Sequence, residues 1–171
     1  FDRSSYFHKS PNGLKDPIIC YAKRQSIGYV DNSVFNFEQQ RLNSYKVFTA
    51  FANNIGTELN DDNLNTFIGE PRTVCTETYI ILGDGLELNY NSAQNICHYF
   101  TTKFSRFMLS IAKSSQHATA KTYRFVPLQD FTESSDIDWS KPIPEIDQQL
   151  YKKYSLTDDE IDFIEGMIKP M

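Results

Sequence analysis

Apolar residues recur at every third or fourth position in the middle of the chain, which is the spacing of an amphipathic helix. The stripe consists of Ala93, Ile96, Cys97, Phe100, Phe104, Phe107, Met108, Ile111 and Ala112. Asn91 or Ser92 would cap its amino end, and a polar run from Ser114 to Thr119 ends it. The pattern predicts one long helix over residues 91–114, with its apolar face in the core.

Runs rich in β-branched and aromatic residues predict strands on either side of this helix. The predicted strands are Ile18–Ala22, Ile27–Val30, Tyr45–Ala52, Thr76–Leu82, Leu86–Leu88 and Tyr123–Val126. The first two would form a hairpin through Lys23–Ser26, and Pro127 would stop the last strand. We therefore expect a mixed or antiparallel sheet packed against the long helix.

Two short helices are predicted near the carboxyl end. Pro144 suits the first turn of a helix that continues to about Tyr154. Thr157 and Glu160 have the spacing of a capping box, which opens a second helix.

These elements predict an α+β fold within 171 residues, of which 40% are hydrophobic. We expect residues 1–140 to form one domain and residues 141–171 to form a helical appendix packed on it. The three cysteines are widely spaced and form no Cys-x-x-Cys motif, so neither a disulfide framework nor a zinc site is indicated.

The net charge of −5 is unevenly distributed along the chain. Residues 1–87 carry −3, residues 88–129 carry +5 and residues 130–171 carry −7. The middle segment has no Asp or Glu, and its cations are Lys103, Arg106, Lys113, Lys121 and Arg124. A local basic patch can bind DNA even when the whole chain is acidic.

The common catalytic signatures are missing from the sequence. It has no Asn/Asp-Pro-Pro-aromatic motif, no glycine-rich cofactor turn and no Gly-Lys-Ser/Thr phosphate loop. Asp84 and Glu87 lack the following lysine that would suggest a metal-dependent nuclease. We therefore predict no catalytic residue, cofactor or metal site in this chain.

Targeting signals are equally scarce. The sequence has no signal peptide and no apolar run of about 18 residues, so we expect a cytoplasmic protein that does not enter a membrane. The first residue is Phe1 rather than Met, which suggests a piece of a larger protein.

Candidate DNA contacts cluster at the end of the long helix. They are Lys113, Gln116, His117, Lys121 and Arg124. Lysine and arginine would contact phosphates. Cations at the end of a helix also stabilise its dipole, and this alternative explains them without DNA.

Polar loops supply the remaining candidates. Asn53 and Asn54 begin an asparagine-rich stretch, and amide side chains can read adenine edges in the major groove. The same composition also fits an ordinary turn-rich loop. Lys23 and Arg24, at the tip of the predicted hairpin, and Arg72 complete the set.

Several runs resemble the C-terminal region of bacterial restriction–modification enzymes that carry an adenine-specific methyltransferase. The runs are Thr76–Leu82, Thr102–Phe107, Thr122–Phe131, Asp136–Lys141 and Glu145–Tyr154. A more distant likeness is to the recognition domains of type I specificity subunits. The resemblance covers roughly residues 45–171 and does not carry over any base-reading residue.

The resemblance implies a target-recognition domain of a type II restriction enzyme. Such a domain binds double-stranded DNA and positions it for the methyltransferase, and sometimes an endonuclease, of the same parent chain. The alternative is a non-catalytic assembly module, in which the acidic helices after Pro144 dock onto another subunit.

Overall fold

The structure is a computed structural model that describes residues 4–35, 37–52, 64–112 and 120–170. The described elements combine helices with two small sheets, which confirms the α+β class. In chain order they are β1 (Pro17–Ala22), β2 (Ser26–Asp31), α1 (Asn32–Phe35), α2 (Gln39–Asn43), β3 (Lys46–Ala50), β4 (Phe67–Gly69), β5 (Thr73–Cys75), β6 (Tyr79–Leu82), α3 (Tyr90–Thr101), α4 (Lys103–Ala112), α5 (Ala120–Tyr123), α6 (Ile143–Lys153) and α7 (Asp158–Met167).

The chain divides into two compact units. The first consists of Phe1–Phe51 and Thr66–Ala93, and the second of Ala52–Asn65 and Gln94–Met171. The domain boundary predicted near residue 140 stays a prediction.

The first unit holds two three-stranded sheets. In one, with strand order β2-β1-β5, β1 is antiparallel to β2 and parallel to β5. The other, with order β4-β3-β6, is antiparallel throughout. The predicted hairpin of β1 and β2 is confirmed, with Ala22 opposite Ser26 and Lys23–Gln25 at the tip.

Alternation along β1 places Ile18 and Cys20 in the core of the first unit, where they pack with Val30 and Leu42. This follows from the two-residue period of a strand, which sends successive side chains to opposite faces. Tyr21, on the other face of β1, contributes to an aromatic cluster with residues of β3, β4 and β6. Its members are Tyr21, Phe48, Phe67 and Tyr79.

The predicted return strand Leu86–Leu88 is wrong, because this segment is an irregular connection into α3. A single backbone bond, from the N–H of Tyr45 to the carbonyl of Leu88 at 3.0 Å, holds it beside β3. The cap of α3 also differs from the expectation. The side-chain oxygen of Asn89 accepts from the N–H of Ser92 at 2.8 Å, which is how an N-cap residue acts.

The long helix is interrupted at Thr102, which separates α3 from α4. The Thr102 hydroxyl donates to the carbonyl of Tyr99 at 2.6 Å and so competes with the helical backbone pattern. A new helix begins directly afterwards. Asp147 of α6 accepts from the N–H groups of Lys103 and Phe104 at 3.0 and 2.9 Å and thereby caps α4.

The second unit is built from helices and connecting loops. Its core includes Phe104 and Leu109 of α4, Ile146 and Leu150 of α6, and Ile164 of α7. The two C-terminal helices are confirmed at nearly the predicted positions.

The capping box is also confirmed. The Thr157 hydroxyl accepts from the N–H of Glu160, and the Glu160 carboxylate accepts from the N–H of Thr157. The predicted strand Tyr123–Val126 is wrong. α5 ends at Tyr123, and a turn follows in which the N–H of Val126 donates to the Tyr123 carbonyl at 3.0 Å.

Candidate nucleic-acid interface

Two cations of residues 88–129, the segment without Asp or Glu, already have acceptors within the second unit. The Lys103 ammonium lies 2.5 Å from a carboxylate oxygen of Glu165. Arg106, which the apolar stripe places off the buried face or at its rim, is instead only 1% exposed. One guanidinium nitrogen donates to the carbonyl of Lys169 at 2.7 Å, as a buried charged group requires. These two cations therefore cannot be counted toward a DNA-binding surface.

Lys121 and Arg124, by contrast, are exposed on α5 and the turn that follows it. Neither forms an ion pair with a residue in the described part of the chain. The guanidinium carbon of Arg124 lies 4.4 Å from the centroid of the Phe125 ring. Such stacking orients a guanidinium while leaving its N–H groups available to acceptors.

Two large apolar side chains accompany these cations. Phe125 is 40% exposed and Leu128 is 73% exposed. Lys121, Arg124, Phe125 and Leu128 together are called the 121–128 surface below. The sequence analysis did not include the two apolar members, because Phe125 fell within the predicted strand Tyr123–Val126 and nothing indicated that Leu128 would be exposed. The only hint was the adjacent Arg-Phe pair.

The backbone beneath the 121–128 surface is fixed by buried polar groups. The Tyr99 hydroxyl donates to the Pro127 carbonyl at 2.8 Å. The side-chain amide of Gln129 donates to the same carbonyl at 3.1 Å and to the Tyr154 hydroxyl at 2.8 Å. Burial raises the pKa of Tyr99, so its hydroxyl stays protonated and remains a donor. The surface is thus presented by an anchored loop.

A second pair of exposed cations lies in the first unit, at the tip of the β1–β2 hairpin. Lys23 and Arg24 are exposed and form no ion pair with a described residue. Arg24 and Gln25 adopt φ angles of 61° and 56°. The N–H of Gln25 donates to the Tyr79 hydroxyl at 2.9 Å, which ties the tip to β6.

Arg72 does not join this pair. Its guanidinium forms an ion pair with Asp16, and its backbone N–H donates to the Leu42 carbonyl at 2.8 Å. The register of β1 and β5 pairs Ile19 with Thr73, which places Arg72 near the start of β1. The hairpin tip is at the other end of that strand. Because Asp16 already balances its charge, Arg72 differs from Lys23 and Arg24, which form no ion pair with a described residue.

Five other predicted contacts lie outside the described residues. They are Asn53, Asn54, Lys113, Gln116 and His117. Their proposed roles in DNA binding stay predictions.

A cleft of about 170 Å³ in the first unit contains the buried Lys46. Its ammonium donates to the carbonyls of Leu42 and Ser44 at 2.9 and 2.8 Å, which ties the end of α2 to β3. Burial lowers the pKa of Lys46 to about 8, although Asp84 acts in the opposite direction. Because the ammonium already has two acceptors, we regard it as a structural group.

Buried thiols also occur in the first unit. Cys20 and Cys75 are not part of a disulfide, and burial raises the pKa of Cys20 to about 11 and that of Cys75 to about 12. Both therefore stay as thiols near neutral pH.

The described residues contain neither a metal-ligand cluster nor a membrane-spanning helix. Within residues 4–35, 37–52, 64–112 and 120–170, no group of three or more His, Cys, Asp or Glu could hold a metal ion. None of the helices in these ranges is both long enough and apolar enough to span a bilayer.

Comparison of the chain with protein-family models, with curated proteins and with solved structures gave no match. The function proposed below is therefore inferred from the chain's own residues.

Proposed function

We propose that this chain is a DNA target-recognition domain of a bacterial restriction–modification enzyme. It binds duplex DNA and holds it for the methyltransferase of the same parent chain and for an endonuclease where the parent has one. The observation that supports this best is the 121–128 surface. It combines two exposed cations, which form no ion pair among the described residues, with exposed apolar side chains on an anchored backbone.

The chemistry of this surface suits DNA. Lys121 and Arg124 would contact phosphate oxygens, which supply most of the affinity of a protein for DNA. Phe125 and Leu128 would pack against sugars and base edges, or enter a base step as apolar wedges do in minor-groove complexes. The anchoring of Pro127 by Tyr99 reduces the entropy lost when the loop binds.

The hairpin tip offers a second DNA contact in this proposal. Lys23 and Arg24 stand on a turn whose backbone is held by Tyr79, so they would meet phosphates without first becoming ordered. Recognition is the whole of the proposed activity. The chain would use no cofactor of its own and would act in the cytoplasm, where the bacterial chromosome lies.

The test is the salt dependence of DNA binding by the full 171-residue chain. A fluorescein-labelled duplex of mixed sequence is titrated by anisotropy at several salt concentrations. We expect log K to fall linearly with log salt. The double variant Lys121→Ala/Arg124→Ala should bind more weakly. The slope of log K against log salt should become shallower by about 2, since each lost phosphate contact reduces its magnitude by about 1.

A charge-matched control separates a specific surface from total charge. Lys141→Ala/Lys152→Ala removes two exposed cations from the acidic C-terminal part of the second unit, and should leave the affinity and the slope almost unchanged. Absence of binding at low salt, or equal losses in both double variants, would count decisively against the proposal.

A further inference from the structure

An apolar groove lies on the second unit between α4 and α7. Its volume is about 550 Å³, within the range of roughly 300–1,000 Å³ typical of binding clefts. It is lined by Phe104, Phe107, Met108, Leu156, Asp159, Glu160, Phe163 and Ile164. Two of the eight lining residues are acidic, and the others are apolar.

Exposed apolar side chains occur in the groove lining and elsewhere on the two helices that form it. Phe163 and Met167, one helical turn apart on α7, are 61% and 51% exposed. Ile111 of α4 is also largely exposed. Phe107 and Phe163 meet edge to face with their ring centroids 5.9 Å apart, which fixes the shape of the walls. Contiguous exposed apolar surface of this kind marks interaction sites.

The charge around the groove is negative. α7 carries Asp158, Asp159, Glu160, Asp162 and Glu165 and contains no lysine or arginine. Glu160 is occupied by the capping box and Glu165 by Lys103. The other three carboxylates form no ion pair with a residue in the described ranges. A partner that fills this groove would therefore be favoured by positive charge beside its apolar anchors.

We infer that the groove is a docking site for an amphipathic helix of another protein, with large apolar residues on one face and lysine or arginine beside them. A helix laid between two helices is a common recognition mode, in which anchors at spacings of three and four residues enter the groove. The acidic rim disfavours DNA. It also disfavours a second copy of this chain seated through the same groove, because the carboxylates of both copies would face each other.

This site does not depend on the proposed DNA binding. If the chain acts as an assembly module, the groove beside α7 is where the other subunit would dock. The 121–128 surface and the groove can be impaired separately, since they share no residue.

The experiment uses two designed peptides of about 18 residues, long enough to form helices. Both have leucine on one face, and the remaining positions are lysine in one peptide and glutamate in the other. Anisotropy of the labelled peptides is followed with the full chain. We expect the leucine–lysine peptide to bind, with weaker binding at high salt, and the leucine–glutamate peptide to bind at least about tenfold more weakly.

Variants locate the binding. Phe163→Asp should weaken binding of the leucine–lysine peptide by about tenfold or more, and Met167→Asp provides a second disruption of the exposed apolar surface, one helical turn farther along α7. Leu86→Asp, an exposed apolar residue of the first unit, is the matched control and should have no effect. Asp159→Lys should weaken the leucine–lysine peptide and strengthen the leucine–glutamate peptide. Circular dichroism confirms that each variant is folded.

Three outcomes would overturn the inference. One is equal binding by the wild type, Phe163→Asp and Met167→Asp. Another is equal affinity for the two peptides, which shows apolar adhesion without charge selection. The third is concentration-dependent dimerisation of the wild type that Phe163→Asp abolishes, which makes a second copy the occupant. DNA binding by Phe163→Asp should be unchanged, so failure here is distinct from failure of the proposed function.

Discussion

The carboxylate of Asp147 accepts a hydrogen bond from the backbone N–H of Phe104 at 2.9 Å, so a residue of α6 caps the amino end of α4. The same side chain accepts from the N–H of Lys103 at 3.0 Å. Burial raises the pKa of Asp147, while these two hydrogen bonds and the charge of Arg106 act in the opposite direction. Asp147 thus joins two helices and also offsets a buried cation.

Replacing Asp147 should destabilise the second unit strongly. Asp147→Ala leaves two helix N–H groups and the charge of Arg106 without this acceptor, and we expect a loss of about 3 kcal/mol or more in the free energy of unfolding. Asp147→Asn keeps one acceptor oxygen and should cost less. Urea denaturation measures both. Asp162→Ala, on the exposed face of α7, should stay within about 0.5 kcal/mol of the wild type. A similarly small effect for Asp147→Ala would show that the cap is unimportant.

Lys46 should make stability depend on pH in the alkaline range. Its pKa in the folded chain is about 8, below the ordinary 10.5, so the unfolded chain binds more protons between these pH values. Stability contributed by this group therefore rises as the pH increases from about 8 to about 10.5. Because one pKa unit corresponds to about 1.4 kcal/mol, the rise should be on the order of 1–3 kcal/mol.

The measurement compares the urea midpoints of the wild type and Lys46→Met across this range. Titration of tyrosines and cysteines is common to both chains and cancels in the difference. A constant difference between the two, from neutral to alkaline pH, would contradict the assignment.

Two glycines should respond oppositely to alanine. A Cβ at Gly69 would lie 2.2 Å from a ring carbon of Phe48, whereas one at Gly166 would meet nothing within 4 Å. Gly69→Ala should therefore destabilise the chain by about 1–3 kcal/mol through overpacking. Gly166→Ala, within α7, should stabilise it by up to about 1 kcal/mol. Thermal unfolding distinguishes these results, and the idea fails if both changes have the same sign.

Arg24 allows the charge of the hairpin tip to be separated from its conformation. Its φ of 61° lies in the left-handed region, which glycine adopts without strain. Arg24→Gly should keep or slightly increase stability. It should also weaken DNA binding and reduce the magnitude of the slope of log K against log salt by about 1. Arg24→Lys keeps the charge and should retain the slope. A slope that is unchanged in Arg24→Gly would remove the tip from the proposed interface.

The parts of the fold that the sequence predicted are those set by local chemistry. The Thr157 capping box, the β1–β2 hairpin and the helix with Pro144 in its first turn depend on residues close together in the chain. β4 and β5, with three residues each, were missed because strands so short exist only through pairing with distant partners. The break at Thr102 was hidden because a threonine inside an apolar stripe does not normally stop a helix.

The candidate site was predicted less completely. The charge count was real, but Arg106 is buried, and one acceptor of its guanidinium, the carbonyl of Lys169, is distant in the sequence. No local pattern could reveal them. The exposure of Leu128 likewise depends on Tyr99 and Gln129 holding Pro127 from the inner side. Lys121 and Arg124 are exposed in the structure, and whether they bind DNA stays a prediction.

The strand order of the first unit has a consequence for how the chain can be made and cut. The sheet of β1 and β2 is completed only by β5, which follows β3 and β4 in the chain. The sheet of β3 and β4 is completed only by β6. The first sheet therefore cannot be completed until Cys75 has left the ribosome, and the second until Leu82 has done so. These distant pairings favour slow folding. A single cleavage between Gly69 and Thr73 would separate β5 and β6 from the earlier strands. A fragment that ends there should therefore contain neither sheet in complete form.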